Sequence, residues 1–285
     1  MKKMGEVSEV ERPRENETRK VAMTLFGVSL STLRAVMRRE ATTTRHNRFV
    51  QVFALVVLAG SGAVAATSRP DAVPFGLLLL FLYVVPLFGL LVGVSAAQEE
   101  REELPFLLSQ PVPRRAYVLG KAGVLSAALM GVLLLALIPA AVAVAAAPPV
   151  LLLGGLGIVL AVVSVSGGLA LGHYAATRAR AIMVALIAWF AACGLYDVLA
   201  LALSGLGVMQ QLPALWVAVL LVNPIDAVRL TGLFGLEQVP FSVAGAAAWI
   251  EPLTTWLPLW VGLLAIGWTA GALALAARRL DRLDL

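Results

Sequence analysis

The sequence has few of the residues on which soluble enzymes and secreted domains depend. Its 285 residues include one Cys and two His, and only 14% are Asp, Glu, Lys or Arg, where a soluble domain carries roughly a quarter. One Cys excludes a disulfide-stapled fold. The composition also excludes a cytosolic enzyme and a disordered chain, because 60% of the residues are hydrophobic. A chain with a mean hydropathy of +0.90 cannot bury all of its apolar surface within a fold of this size, so it needs lipid around it.

Charged residues are absent from runs long enough to cross a bilayer, which takes about 20 apolar residues in a helix. We therefore predict an all-α polytopic membrane protein with six transmembrane helices. Pro148-Pro149 separates the third helix from the fourth, and the fifth, from about Ala181 to Leu206, tolerates a single Asp197. The charge-free runs are residues 49–68, 72–98, 122–177, 181–196, 198–225 and 252–277.

The positions of Lys and Arg predict the orientation. Of the 22, all but two fall in residues 1–48, the 98–121 segment, the 178–180 turn and the C-terminal tail. Because Lys and Arg are retained on the cytoplasmic side, both termini are expected there, which is an N-in/C-in topology. A basic rim beside anionic lipids explains the net charge of +5, and no nucleic-acid partner is needed.

The residues before the first predicted span form two segments. Residues 1–20 have mixed charge and predict a disordered cytoplasmic tail, without a cleavable signal peptide. Residues 21–47 predict an amphipathic interfacial helix on the inner membrane surface, in contact with membrane lipids; a short soluble helix packed on the cytoplasmic loops is the alternative. Residues 48–280 then form the membrane domain. Apolar residues on one face of the predicted helix are Phe26, Leu30, Leu33 and Met37.

Titratable groups offer no catalytic or metal site. The two His belong to no HExxH pattern, and Cys193 has no CxxC partner. A phosphate-binding loop has a glycine five residues before its Gly-Lys pair. Arg115 occupies that position before Gly120-Lys121, so this segment is not such a loop. We therefore expect no enzymatic activity, no metal and no cofactor bound by the chain itself.

Asp197, next to Tyr196, is the one ionisable group well inside a predicted span. A charge there must face a partner helix or water. The pair is therefore a candidate gate, and a hydrogen-bonded helix interface near the outer boundary is the alternative.

Glycines four residues apart favour close contacts between transmembrane helices. We expect such pairs to pack within the chain, or for some of them at a subunit interface. The pairs are Gly89 and Gly93, Gly168 and Gly172, and Gly267 and Gly271.

The segment 98–121, QEEREELPFLLSQPVPRRAYVLGK, carries an acidic cluster, then a short apolar run, then prolines and basic residues. Prolines cannot continue a helix, so the segment predicts a compact elbow outside the membrane. Its acids can pair with a basic partner surface; a solvated loop whose charges only fix topology is the alternative. The candidate residues are Glu99, Glu100, Glu102, Glu103, Leu104, Leu107, Leu108, Pro111, Arg114, Arg115 and Lys121.

This order of residues resembles the ABC-2 class of ABC-transporter permeases. The matching positions are Glu99 and Glu100, Leu104 to Leu108, Pro111, Arg114 and Gly120-Lys121, although the usual Gly shortly after the glutamates is missing. The resemblance implies that this coupling loop docks into a separate cytoplasmic ABC ATPase subunit, which binds the ATP. It also implies a homodimer in the cytoplasmic (inner) membrane of a bacterium or archaeon.

Residues 207–251 form a long connection between the fifth and sixth predicted helices. The apolar stretch 212–222 has too few residues to cross, so it is interpreted as re-entrant or interfacial. Asn223-Pro224 is a helix-start signal that leaves Asp226 and Arg229 on one helix face. These four residues are candidates for a periplasmic docking platform or outer gate, and a surface cap that only packs is the alternative.

The pattern N-P-x-D-x-x-R-L at residues 223–230 resembles the NosY subgroup, permeases of the system that matures the copper sites of nitrous oxide reductase. The resemblance implies a periplasmic β-helix accessory protein as a further partner. Two alternatives remain: an ABC-2 exporter of lipid, drug or polysaccharide, and a structural membrane protein without transport activity.

Overall fold

The computed structural model describes residues 24–25, 28–29, 37–38, 40–42, 44, 47–99, 114–144, 147–205, 213–236 and 247–282. Most of them lie in eight helices. The helices are α1 (Arg48–Thr67), α2 (Val73–Glu99), α3 (Arg114–Val144), α4 (Ala147–Tyr174), α5 (Arg178–Ser204), α6 (Pro213–Leu220), α7 (Pro224–Gly235) and α8 (Ala247–Asp281).

Six of these helices are long and apolar enough to cross a membrane: α1 to α5 and α8. This confirms the six predicted spans, and α5 continues through Asp197 as expected. The helix α3 ends at Val144 and α4 begins at Ala147, so Pro148-Pro149 lies in the first turn of α4, where proline is tolerated. The other two helices, α6 and α7, have 8 and 12 residues and are too short to cross.

The segment before α1 corrects one prediction. Two short strands, β1 (Thr24–Leu25) and β2 (Val28–Ser29), pair antiparallel across a two-residue link, so the helix predicted for residues 21–47 is wrong over this hairpin. β-branched Thr24 and Val28 favour the extended backbone. Helical backbone is present at residues 37–38 and 40–42. The predicted tail, 1–20, and Phe26, Leu30 and Leu33 lie outside the described residues.

Large apolar side chains cover the outward faces of the spans. Val142 is 80% exposed, Leu201 74% and Leu151 73%. Soluble monomers do not expose apolar surface on this scale, whereas lipid chains solvate it. The chain is a multi-pass membrane protein.

The most extensive helix contact joins α2 to α4, and glycine makes it possible. A Cβ on Gly93 would lie 2.5 Å from the Val165 carbonyl oxygen, and a Cβ on Gly172 would lie 2.6 Å from the Ala97 Cβ. A Cβ on Gly168 would collide with the backbone of Leu90. The predicted glycine pairs of the second and fourth spans therefore pack against each other within the chain.

Substituting Gly168 tests this contact. Because the added methyl group would meet backbone rather than a flexible side chain, we expect Gly168→Ala to destabilise the bundle by about 1–3 kcal/mol. The measurement is thermal unfolding of the detergent-purified protein, followed by tryptophan fluorescence.

The matched control is Gly131→Ala in α3, where a Cβ would meet no atom within 4 Å. Alanine is the better helix former, so this variant should unfold at the wild-type temperature or slightly above it. Equal unfolding temperatures for the two variants would contradict the close contact.

Candidate functional site

The coupling loop is described only at its two ends, residues 98–99 and 114–121. Its first end closes α2 and its second end opens α3, so both lie at the same end of the bundle, called here the loop end. Seven candidates stay predictions because they lie outside the described residues: Glu100, Glu102, Glu103, Leu104, Leu107, Leu108 and Pro111.

The first stem of the loop is fixed to α4 and α5. Gln98 Nε2 donates to the carbonyl oxygens of Gly172 at 2.5 Å and Ala175 at 3.2 Å. One Glu99 carboxylate oxygen accepts from the Ser95 hydroxyl at 2.7 Å and lies 3.6 Å from Arg178 Nη2, at the start of α5. Glu99 therefore connects the end of α2 to the start of α5.

The second stem is fixed to the end of α8. Arg114 Nη1 donates to the Leu280 carbonyl oxygen at 2.6 Å and lies 3.6 Å from an Asp281 carboxylate oxygen. Tyr117 packs in the same apolar cluster as Leu280. Arg115 is exposed next to this contact. These contacts join the start of α3 to the end of α8.

Lys121 has a different setting from the one its place in the motif suggested. Its side chain is 2% exposed, and its Nζ lies 3.7 Å from Glu40 Oε2 and donates to the Tyr117 hydroxyl oxygen at 3.4 Å. A side chain this deeply buried is not exposed to a partner protein in the described part of the structure. It joins α3 to Glu40, in the segment that precedes α1.

A second polar cluster lies at the opposite end of the bundle, where Arg229 of α7 contacts two carboxylates. Its Nη1 donates to both Asp197 carboxylate oxygens at 2.8 Å. It also lies 3.0 Å from Asp226 Oδ1, one turn earlier on the same helix. The predicted shared face of Asp226 and Arg229 is confirmed, and Asp197 has a partner that the sequence did not indicate.

Asn223 begins α7 and joins it to α5. Its side-chain oxygen accepts from the Ile225 N–H at 3.1 Å, which caps the helix at the predicted start. Its amide nitrogen donates to Asp226 Oδ2 at 2.7 Å and to the Ala192 carbonyl oxygen at 2.8 Å. Burial raises the pKa of the Asp226 carboxyl to about 6, while the Arg229 charge acts against this rise and the Asp197 charge adds to it.

The Ala192 carbonyl lies in a π-helical turn of α5, Ala191–Leu195. Such a turn holds one residue more than an α-helical turn. Directly after it, the Tyr196 hydroxyl donates to the Val219 carbonyl oxygen in α6. Asn223, Tyr196 and Asp197 thus fasten α6 and α7 to the second half of α5.

Burial changes the interpretation of this cluster as a docking platform. Asn223 is 5% exposed and Asp226 is 2% exposed, so they hold α7 in place and are not available to a partner as contacts. Sequence reasoning missed Ala192, Glu40 and Leu280, which act through backbone carbonyls or across more than 80 residues and leave no local pattern. Within the described ranges no three His, Cys, Asp or Glu side chains come together as metal ligands.

The sequence pattern of the ABC-2 family transporter proteins matches residues 13–285, nearly the whole chain. The chain belongs to the ABC-2 family. It is 33% identical over 235 residues to a protein of Pseudomonas aeruginosa described as "Probable ABC transporter permease protein NosY". The alignment covers 76% of this chain and 82% of the relative. As an ABC-2 permease it is a non-catalytic membrane subunit, and membership of the family implies partnering with an ABC ATPase.

Replacing Arg229 should destabilise the permease more than replacing one of its two carboxylate partners. Arg229→Met leaves two carboxylates close together without a cation, so we expect a loss of about 3 kcal/mol of stability. Asp197→Asn keeps Arg229 paired with Asp226 and should lose about 1 kcal/mol. Thermal unfolding in detergent measures both, and an Asp197→Asn loss as large as that of Arg229→Met would contradict the shared ion pair.

Proposed function

We propose that this ABC-2 permease couples a separate cytoplasmic ATPase to a process on the periplasmic side, with segment 98–121 as the docking element. ATP is bound by that partner. The membrane part is a homodimer in the cytoplasmic membrane of a bacterium or archaeon. The process is the assembly of the copper site of nitrous oxide reductase, as the NosY resemblance implies.

One observation carries the coupling role: both stems of the docking segment are fixed to helices that are distant in sequence. Glu99 contacts Arg178 at the start of α5, and Arg114 contacts Leu280 at the end of α8. A loop whose charges only fixed topology would need neither contact. A partner that moves the segment must move the ends of α5 and α8 with it.

The same two helices contact the cluster at the opposite end. On α5, Asp197 binds Arg229 of α7, and on α8 the Trp260 indole N–H donates to the Leu221 carbonyl oxygen at 2.9 Å, just before α7. A displacement at the loop end therefore has a continuous route of contacts to α7. We propose that a periplasmic partner, such as the β-helix accessory protein, responds to the position of α7.

The charges at the loop end support an N-in/C-in orientation. Among the described residues, Arg48, Arg114, Arg178 and Arg279 lie at the ends of helices on this side, while Arg69 lies in the turn between α1 and α2 at the other. Arginine is retained beside the cytoplasmic leaflet. The docking segment then faces the compartment that contains ATP.

Charge reversal within the segment tests the docking role. Because the acids are proposed to pair with a basic surface of the ATPase, we expect Glu100→Lys combined with Glu103→Lys to abolish co-purification of the ATPase in detergent. The unfolding temperature of the permease should stay at the wild-type value. That second readout separates lost docking from lost folding.

Asp71→Lys is the matched control. Asp71 lies in the turn between α1 and α2 at the opposite end, and its side chain is 74% exposed. This charge reversal should leave co-purification unchanged. Full recovery of the ATPase with the double glutamate variant would overturn the docking role.

Complementation tests the copper-site role separately. We expect the chain to restore copper-loaded nitrous oxide reductase in Pseudomonas aeruginosa cells that lack NosY, measured from the visible absorption of the purified reductase. The double glutamate variant should fail to do so. A chain that is produced, inserted and bound to an ATPase but never restores the copper site would instead favour an exporter of lipid, drug or polysaccharide.

A further inference from the structure

A deep apolar groove runs along the bundle between α5 and α8, which do not pack extensively against each other. Its volume is about 920 Å³, and residues of α2 and α4 form its floor. The short turn at 222–224, which leads into α7, closes it at the end opposite the loop end. Gly267 and Gly271 of α8 face open space, since a Cβ on either would meet no atom within 4 Å.

Water is a poor occupant of this groove, because its few polar side chains are already engaged. The Ser164 hydroxyl donates to the Leu160 carbonyl oxygen, and the Tyr196 hydroxyl donates to the Val219 carbonyl oxygen. The Asn223 amide is used by Asp226 and Ala192. A buried water needs two to four polar partners, so an apolar occupant fits better.

The mouth of the groove at the loop end is basic. Arg278 and Arg279 lie one turn beyond Leu275, which lines the groove on α8. Arg180 lies eleven residues, about three turns, before the groove residue Ala191, and so on the same face of α5. The three arginines are therefore near one another in depth, at the boundary where lipid headgroups reside.

The positive charges of these arginines are available to an anionic ligand. Arg180 and Arg278 are exposed, and neither forms an ion pair with any residue in the part of the chain that the structure describes. The Arg279 guanidinium lies 5.7 Å from the centre of the Tyr174 ring, an arrangement that orients it without neutralising it. Arginine binds phosphate oxygens through paired N–H donors.

We propose that this groove is a binding site for one anionic phospholipid. An acyl chain fills the apolar part between α5 and α8, and the phosphate lies among Arg180, Arg278 and Arg279. The combination of an apolar interior and a basic mouth selects this ligand: an acyl chain alone does not need the arginines, and a free phosphate does not need the groove.

A second copy of the chain fits the same surface less well. Two copies inserted with the same topology can be related only by a two-fold axis along the membrane normal, so a symmetric contact brings the same residues together at the same depth. The three arginines of one copy would then face those of the other, and like charges placed together disfavour such an interface. An anionic headgroup has the opposite charge.

Lipid titration of the full-length chain in a mild detergent tests the site, with dioleoylphosphatidylglycerol as the anionic probe and dioleoylphosphatidylcholine as its zwitterionic counterpart. Bound lipid is counted by native mass spectrometry. For Arg180→Gln combined with Arg278→Gln, we expect phosphatidylglycerol to bind about 30-fold more weakly and phosphatidylcholine to be unaffected. For Gly271→Leu, whose side chain occupies the groove, binding of both lipids should be lost.

Each variant has a matched control. Arg48→Gln removes an exposed arginine at the loop end on α1, away from the groove, and Gly262→Leu enlarges another open glycine of α8 that does not line it. Both should bind phosphatidylglycerol as the wild type does. The measurement needs no ATPase, so its result is independent of the proposed coupling role.

Two results would overturn the proposal. One is phosphatidylglycerol affinity that stays at the wild-type level in both groove variants. The other is a Gly271→Leu protein that keeps its lipid but changes from dimer to monomer in light scattering, since that outcome would assign the groove to a second copy of the chain.

Discussion

The backbone contact between α2 and α4 is the interaction on which the rest of the bundle depends. Lipid supplies no hydrophobic force between helices, so spans associate through dispersion contacts and hydrogen bonds. Gly93, Gly168 and Gly172 allow two backbones to approach closely enough for those contacts to accumulate. The remaining spans attach to this pair: α1 and α5 pack on α2, and α3 and α8 pack on α4.

Polar side chains are concentrated at the two ends of this apolar scaffold. One cluster fixes the stems of the coupling loop, and the other fastens α7 to α5. The spans α5 and α8 contact the loop-end cluster through Arg178 and Leu280, and they contact the far end through Asp197 and Trp260. They are also the described spans with the smallest buried fraction, 11% each. A helix with a small buried fraction loses less packing free energy when it shifts. This property suits spans that pass a displacement from one end of a permease to the other.

The high free-energy cost of placing charge in hydrocarbon is the reason that the sequence predicted the spans. Runs without Asp, Glu, Lys or Arg located all six, and Asn223-Pro224 located the start of α7. The pairing of Asp197 with Arg229 could not be found in this way, because 32 residues separate them and only the packing of α7 on α5 brings them together. The burial of Lys121 depends in the same way on Glu40, and a local motif shows neither.

The strand pair of Thr24–Leu25 with Val28–Ser29 shows that a local prediction from the sequence can also be wrong. Apolar spacing alone suggested a helix, but two β-branched residues in six favour paired strands. Periodicity over so short a stretch does not separate the two structures.

The π-helical turn of α5 sets the direction of every side chain beyond it. One inserted residue rotates the remainder of a helix by about 100°, so a regular helix with one residue fewer would turn Tyr196 and Asp197 away from α6 and α7. The five residues that form the turn, Ala191–Leu195, contain no charged side chain. The contact between the fifth span and the far-end helices therefore depends on residue count: insertion or deletion of a single apolar residue in this turn would separate Tyr196 and Asp197 from their partners without altering any charge.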